Sequence, residues 1–273
     1  TWVGGDRDGN PNVTFKISKS AVVSLINHLV LMYNNDLNNL FNDFSISVKH
    51  PQDNCQLHKS IAKDLKKSRL PKEIIARYQF EPVRIKLLLI KEKLKCYADS
   101  ISQFKKPELT QEYFQKDIEI LSDFLEQLSK DKSLFSGGVK KLLIRSKVFG
   151  LHFMGLDIRQ HSSVHEIAVN EIISYIFPKS NYLNASESER CKILKRLIVK
   201  QNIIFDKEIK ERSKLLEELL GTFSVIKNSM QMNKKIISSY IISMTNSKSD
   251  ILEVIFIGRI TGLISYKNKK IST

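Results

Sequence analysis

The sequence has few of the residues that interrupt helices. Its 273 residues include only ten glycines and six prolines, which favours long helices, because glycine and proline are the strongest breakers of helix interiors. The three cysteines, Cys55, Cys96 and Cys191, lie far apart and form no Cys-x-x-Cys pair. This spacing argues against a disulfide framework or a cysteine zinc site and is typical of a reducing compartment, so we expect a cytoplasmic protein.

Long apolar runs are also scarce. No uninterrupted run approaches the roughly 20 residues that a membrane-spanning helix needs, and the first residues do not resemble a signal peptide. We therefore expect no membrane partner. The composition, 42% hydrophobic and 27% charged, is that of a globular protein, and the length allows one large domain or two small ones.

Acidic residues are outnumbered by basic ones, 29 to 44, which gives a formal net charge of +15 at pH 7. Such a balance can indicate a nucleic-acid-binding module or an anionic ligand. The lysines are scattered, however, with acids between them, and no nucleic-acid-binding motif is present. We expect no nucleic-acid partner and keep a basic nucleic-acid-binding module as an alternative. A piece of a larger, more balanced protein would show the same excess.

Most of the chain has apolar residues at helical spacing. Residues 16–44 predict one helix, Pro82 begins another that ends near residue 103, and Thr110 caps a third that ends near residue 130. Residues 45–72 predict a loop with short helices. Gly137-Gly138 predicts a break before a helix that ends near Phe149.

Three later helices have the sequence of a capping box at their start, in which a serine and an acid three residues on satisfy each other's backbone amides. The pairs are Ser163 with Glu166, Ser186 with Glu189, and Ser247 with Asp250.

Two stretches, residues 151–159 and 236–244, break the helical rhythm, and each is followed by one of these helices. This is the strand–loop–helix order of parallel βα units, and residues 1–3 resemble the end of a third strand. The sequence therefore predicts a predominantly α-helical fold with a few parallel strands. In βα barrels the functional residues follow the carboxyl ends of the strands. The segments GGDRDGNP, DIRQ and SMTNS would all lie there.

Three motifs in this order resemble the phosphoenolpyruvate carboxylase family. Residues 1–14, TWVGGDRDGNPNVT, match the family's (S/T)WxGGDRDGNPxVT. The segment LDIRQ at Leu156–Gln160, followed by His165, is the second match, and YIISM with SDILEV at Tyr240–Val254 is the third. Glu81–Arg84 is also similar to an EPxR helix start between the first two, so the resemblance runs from end to end.

The resemblance implies a partial slice of an α/β (TIM-like) barrel enzyme with extra helices. The family's catalytic histidine would precede residue 1, and its acidic metal ligands and glycine-rich loop would follow residue 273. We therefore expect residues 1–273 to be a single central fragment of a longer enzyme, inactive by itself. Full-length family members are homotetramers under allosteric control.

The implied reaction converts phosphoenolpyruvate and bicarbonate to oxaloacetate and phosphate, an anaplerotic carbon-fixation step that uses Mg²⁺ or Mn²⁺. The metal ligands are expected outside this chain, so no metal site is predicted in it. The expected partners are the two substrates and the rest of the parent chain. A non-catalytic helical scaffold derived from the family is the other alternative.

Arg159 aligns with a family arginine that holds the substrate phosphate. A guanidinium suits this task because its planar fork pairs phosphate oxygens bidentately and stays protonated. The alternative is a structural ion pair with Asp157 or another acid. Side chains alternate along a strand, so Asp157 and Arg159 should share a face while Gln160 points the other way.

Trp2 aligns with a family tryptophan that lines an apolar pocket near the methylene carbon of the substrate; the alternative is a core tryptophan. Arg7 is expected either to bind an anion or to be neutralised by its neighbours Asp6 and Asp8. The glycines of this segment permit a positive φ or a close backbone approach, and its polar residues favour tight turns. The supporting loop is thus predicted to comprise Gly4, Gly5, Asp6, Asp8 and Asn10, with Asp157.

The chain departs from the commonest family pattern after DIRQ, where His161 replaces a frequent glutamate and Val164 a frequent arginine. His161, His165 and His152 do not have the spacing of metal ligands on one helix face. We expect them to be structural or solvated.

Overall fold

The computed structural model describes residues 1–47, 56–128, 136–200, 211–267 and 270–272. The described chain is mostly helical, with a small parallel sheet. It divides into two compact units, one made of residues 1–22 and 154–273 and the other of residues 23–153. Cys96 and Cys191 are free thiols, while Cys55 lies outside the described residues.

Helix α1 begins in the first unit and continues into the second, which contains five further described helices. Their bounds are α1 (Phe15–Asp43), α2 (Gln56–Leu65), α3 (Lys72–Arg77), α4 (Pro82–Ser102), α5 (Gln111–Leu128) and α6 (Ser136–Phe149). The predicted helix starts at Pro82 and Thr110 are confirmed, and the Thr110 hydroxyl accepts from the Tyr113 N–H at 3.3 Å. The predicted loop of residues 45–72 contains α2, and its residues 48–55 lie outside the described part.

The predicted break at Gly137-Gly138 is wrong, because α6 already begins at Ser136 and both glycines lie in its first turn. Gly138 has a packing reason instead: a Cβ there would lie 2.7 Å from Cδ2 of Leu40. The core of this unit is built from the apolar faces of α1, α4 and α5, where the rings of Tyr33 and Phe114 contact each other in a tilted arrangement with centroids 4.8 Å apart.

Among the described helices, α1 is the one long and apolar enough to cross a membrane by length and composition. The finding is weak evidence for a membrane span, since the core helices of globular proteins meet the same criterion. Six apolar side chains of α1 beyond residue 22 are buried in the unit of residues 23–153: Ile26, Leu29, Val30, Tyr33, Leu37 and Leu40.

The other unit contains both strands and helices. Its elements are β1 (Leu156–His161), α7 (Ser162–Ile176), α8 (Glu187–Val199), α9 (Lys214–Met232), β2 (Ile237–Ser243), α10 (Lys248–Ile260), β3 (Ser265–Lys267) and β4 (Lys270–Ser272). Strands β1 and β2 pair in parallel, with Arg159 opposite Ile241. The helices cover this pair with a shared apolar core that includes Ala168, Leu194, Leu216, Phe223 and Phe256. The short antiparallel hairpin β3–β4 was not predicted from the sequence.

Two of the three predicted caps hold. Ser186 and Glu189 form the full reciprocal box, and the carboxylate of Asp250 accepts from the Ser247 N–H at 3.0 Å. The Ser163–Glu166 box is wrong, because α7 follows β1 without a loop and His161 becomes the N-cap. Glu166 pairs with Arg190 instead.

The first seven residues lie along the edge of β1 that β2 leaves free. The Thr1 carbonyl accepts from the Asp157 N–H at 2.9 Å, and the Gly5 carbonyl accepts from the Arg159 N–H at 3.0 Å. The Arg7 N–H then donates to the Arg159 carbonyl, which makes Asp6 a parallel bridge partner of Arg159. A turn at residues 3–5 interrupts this pairing, so the regular strand end expected at residues 1–3 is replaced by an irregular edge segment.

Candidate functional site

The candidate site lies at the carboxyl end of β1. Leu156 and Ile158 are fully buried, whereas Asp157 and Arg159 are half-buried on the opposite face. The predicted alternation is therefore confirmed, and it separates the apolar face of the strand from a face that reaches solvent. The alternation of burial ends after Arg159, and the Oε1 atom of Gln160 accepts from the backbone N–H of His161.

The two adjacent glycines are required for different reasons. Gly4 has a φ of +78°, a conformation that side chains with a Cβ rarely adopt. At Gly5 the φ is ordinary, but a Cβ would lie 2.0 Å from the carbonyl oxygen of Asp157. Gly4 therefore turns the chain, and Gly5 lets it approach β1 closely enough for Asp6 and Asp8 to reach Arg159.

Arg159 forms ion pairs with the loop and not with Asp157. Its Nη2 atom lies 2.6 Å from Oδ2 of Asp8, and its Nη1 atom lies 3.7 Å from Oδ2 of Asp6. The guanidinium carbon also lies 5.3 Å from the ring centroid of Trp2, a cation–π arrangement. The side chain remains 30% exposed, so its remaining N–H groups can receive an anion from solvent.

Trp2 is half exposed and is therefore not a core residue. Its indole lies against the Arg159 guanidinium, while its carbonyl accepts from the N–H groups of Gly5 and Asp6 at 2.9 and 3.1 Å. The same residue thus closes the backbone turn and covers one face of the arginine.

Arg7 lies away from this cluster, in the interior. Its Nη1 group donates to the Thr222 hydroxyl, and its Nη2 group donates to the Ser18 hydroxyl at 2.7 Å. Burial lowers the pKa of Arg7, while Tyr240 and Glu218 act in the opposite direction. Neither of the two aspartates beside it in sequence neutralises it in the described structure, because their carboxylates are directed to Arg159. The structure therefore does not bring the Arg7 guanidinium into the site.

The remaining loop residues organise the turn. The Asp6 carboxylate accepts from the Asp8 N–H at 3.2 Å, and the Asn10 side chain accepts from the Asn12 N–H at 3.1 Å. Gly9 has a φ of +70°. Asn10 is exposed on this turn and supports its backbone rather than Arg159.

Asp157 is held by strand β2. The Ser239 hydroxyl donates to its Oδ1 atom at 2.6 Å, and this hydrogen bond is the main cause that lowers the pKa of Asp157. Sequence reasoning missed Ser239, Ser18 and Thr222. Ser239 became identifiable only from the register of β1 against β2, which places Asp157 opposite Ser239.

His161 at the end of β1 and His165 in α7 have structural contacts. The Nδ1 atom of His161 accepts from the Ser163 N–H at 3.2 Å, so this ring caps α7. His165 is fully buried with its Nε2 atom 2.7 Å from the Tyr240 hydroxyl, and burial lowers its pKa to about 4. His165 is therefore neutral at pH 7. Within the described ranges, no three histidine, cysteine or acidic side chains come together as a metal site would require.

Comparison with known proteins assigns the family. The model of the phosphoenolpyruvate carboxylase family matches residues 1–272. Phosphoenolpyruvate carboxylase from Rhodothermus marinus is 28% identical over 269 residues, which are 98% of this chain and 29% of that protein. The enzymes of the same name from Prochlorococcus marinus (strain MED4) and Synechococcus sp. (strain WH7803) are 29% and 27% identical, each over 290 residues.

These alignments cover 99% and 97% of this chain but only 29% and 28% of the two cyanobacterial proteins. The chain thus spans less than a third of the length of the relatives it matches. Its match to the family model is nevertheless complete to within one residue, and the chain belongs to the phosphoenolpyruvate carboxylase family.

Proposed function

We propose that this chain is the central part of a phosphoenolpyruvate carboxylase and supplies one wall of its active site. The parent enzyme converts phosphoenolpyruvate and bicarbonate to oxaloacetate and phosphate. Family membership supports the reaction, and the share of the relatives that the chain covers supports a fragment. The single observation that carries the site is Arg159, a half-exposed guanidinium at the carboxyl end of a parallel strand.

Arg159 binds the phosphate of the substrate in this proposal. Asp8 occupies one end of its fork at 2.6 Å, while Asp6 is farther, at 3.7 Å, from the other end. The Nη1 side therefore keeps donors for phosphate oxygens, and bidentate pairing there stabilises the negative charge of the reacting group. Trp2 beside it presents an apolar face to the methylene carbon of the substrate.

The fold proposal is a slice of a TIM-like barrel with extra helices. The parallel pair β1–β2, each strand followed by a helix, supports it. In such a barrel the remaining strands come from the rest of the parent chain, and the carboxyl ends of β1 and β2 face the common mouth. We propose a cytoplasmic homotetramer for the full-length protein, on the resemblance alone.

The reaction of the family uses Mg²⁺ or Mn²⁺, which stabilises developing negative charge as a Lewis acid. The described side chains do not form a set that fits such an ion: Asp6 and Asp8 are both turned to Arg159. The metal ligands are accordingly assigned to the rest of the parent chain. For the same reason the isolated 273-residue chain should be inactive.

The test compares the carboxylation rate of the full-length parent, coupled to reduction of oxaloacetate, with that of two arginine variants. Arg159→Ala should lower kcat/KM by at least about 100-fold, because a desolvated charge-assisted pair with phosphate is lost. Arg196→Ala, which removes an exposed arginine on α8, should leave it unchanged.

A parent that is folded, metal-loaded and inactive would overturn the proposal in favour of the helical scaffold. An active parent whose Arg159→Ala variant is nearly normal would retain the reaction but contradict the role of Arg159. The nucleic-acid alternative predicts binding to DNA that falls steeply with salt.

A further inference from the structure

A cavity of about 730 Å³ opens between α2, α4 and α5, in the unit of residues 23–153. Its volume is within the range of small-molecule sites. None of its lining residues belongs to the Arg159 cluster or to the motifs that carry the family resemblance, so nothing in the proposed function explains it. The base of the cavity (the floor), the residues around its opening (the rim) and the surface between them (the wall) differ in chemistry.

Four charged side chains form and support the floor. Lys86 is completely buried beneath it, and its ammonium group donates to Ser60, Asp64 and Asp117, which uses all three of its N–H groups. Lys93 donates to the same two aspartates at 2.7 Å each. It lines the cavity, and its third N–H has no partner among the described residues.

Asp64 and Lys93 each favour the ionised form. Burial alone would raise the pKa of Asp64, but the hydrogen bonds from Lys86 and Lys93 bring it below its ordinary value. Burial likewise opposes the charge of Lys93, and the two aspartates more than offset this and raise its pKa. Two cations and two anions balance each other, so the floor offers a fixed donor without excess negative charge.

The rim is cationic. It contains four exposed basic side chains that have no acidic partner within 4.0 Å in the described part of the chain: Lys59, Lys63, Arg69 and Lys116. Of the acids outside the floor, Glu92 accepts from the Ser68 hydroxyl and the Arg69 N–H. Glu108 lies 3.6 Å from Lys67, and both are largely exposed. The lining therefore carries more positive than negative charge.

The wall between rim and floor is apolar. It is formed by the side chains Leu89, Tyr97, Leu109, Tyr113 and Ile120. The ammonium group of Lys63 lies 5.9 Å from the ring centroid of Tyr113, which places a cation at the edge of this wall. A ligand that contacts both the cationic rim and the apolar wall needs a multiply charged anionic group and a carbon skeleton.

We propose that this cavity is a second anion site, which binds a small organic phosphate. Lys63 and Lys116 hold the phosphate from the rim, and the third N–H of Lys93 reaches it from the floor. Lysine binds phosphate as a compact point charge, which tolerates the varied directions from which these three groups approach. The carbon skeleton packs on the Leu89 and Tyr97 side of the wall.

The test is an amide-detected NMR titration of the whole 273-residue chain with phenyl phosphate and, separately, with inorganic phosphate. Saturable shifts should cluster in α2, α4 and α5, with phenyl phosphate binding more tightly. The double variant Lys63→Gln/Lys116→Gln should weaken the binding of phenyl phosphate at least about tenfold, which corresponds to about 1.4 kcal/mol, because two of the three proposed ammonium contacts are lost. Both positions are exposed, and circular dichroism checks that the fold is kept.

Lys140→Gln is the matched control, because Lys140 is an exposed lysine of the same unit outside the cavity. Its affinity for phenyl phosphate should equal that of the unaltered chain. The affinity of Arg159→Gln, followed at the amides of α2, α4 and α5, should also be unchanged. Shifts scattered over the basic surface, or an equal loss in Lys140→Gln, would overturn the site. Equal affinity for the two probes would overturn the assignment to an organic phosphate.

Discussion

Single residues of the first loop set how close it comes to β1. The sequence predicted that the glycines here permit a positive φ or a close backbone approach. Gly4 has the positive φ, and Gly5 makes the close approach. Arg7, although it lies between two aspartates, is turned inward to hydroxyl groups of α1 and α9. Its neighbours are free to bind Arg159 because alternate side chains of an extended segment point to opposite sides.

We predict that Gly5→Ala lowers the free energy of unfolding by about 2 kcal/mol or more and weakens the phosphate binding that is proposed for Arg159. The added methyl group would collide with the Asp157 carbonyl oxygen, so the loop must move away from β1. Urea unfolding measures the first effect. Gly137→Ala is the control: its Cβ would meet nothing within 4 Å in a helix, so it should be neutral or stabilising by up to about 1 kcal/mol. A Gly5→Ala variant as stable as the parent would contradict the close approach.

At the scale of elements, the join between β1 and α7 departs from the sequence pattern. The Ser163–Glu166 pair has the sequence of a capping box, yet β1 continues to His161 and the helix begins at Ser162. The cap therefore comes from the last strand residue. An imidazole can perform this role only when Nδ1 is an unprotonated acceptor. The residue that replaces the family's frequent glutamate thus keeps an acceptor at the helix start.

We predict that His161→Ala destabilises the chain by about 1 kcal/mol, the typical effect of losing a helix cap, whereas His161→Asn is close to neutral. Urea unfolding measures both. If His161→Asn were as unstable as His161→Ala, the hydrogen bond to the Ser163 N–H would not be the cause.

At the scale of the whole molecule, two fully buried ionisable groups change the free energy of unfolding in opposite directions as the pH rises. Burial raises the pKa of Glu253 to about 7, and the Tyr182 hydroxyl donates to its Oε1 atom. Its protonated form is favoured by folding, so its contribution is complete below pH 4.5 and is lost as pH rises through 7. His165, with a pKa lowered to about 4, is favoured neutral. Its contribution is complete above pH 6.5 and is lost as pH falls through 4.

We predict that the unaltered chain has a shallow stability profile between pH 5 and 7.5 and that single variants expose the two slopes. The free energy of unfolding of Glu253→Gln, relative to that of the unaltered chain, should be about 2 kcal/mol higher at pH 7.5 than at pH 5. His165→Asn should show the opposite trend: its free energy of unfolding, relative to that of the unaltered chain, should be higher at pH 5 than at pH 7.5. Chemical unfolding at both pH values measures each difference. A pH-independent difference for either variant would show that the group does not titrate with folding.

The sequence by itself determined the family, most of the described helices and the strands β1 and β2. Those features depend on local order along the chain: motif residues in fixed spacing, apolar residues at helical periods, and alternation in LDIRQ. Arg159 and Trp2 could be predicted as site residues because they belong to such motifs. The Ser186 and Ser247 caps were predictable for the same reason, since a cap joins residues only three positions apart.

Only the tertiary structure decided which side chains pair across long separations. Asp8 reaches Arg159, Arg7 reaches Thr222, and Ser239 reaches Asp157, each across a separation of more than 80 residues. The cavity floor likewise joins Asp64, Lys86, Lys93 and Asp117 from three helices. Such contacts depend on strand register and helix packing, which follow from burial of the whole apolar surface and leave no mark at the individual positions.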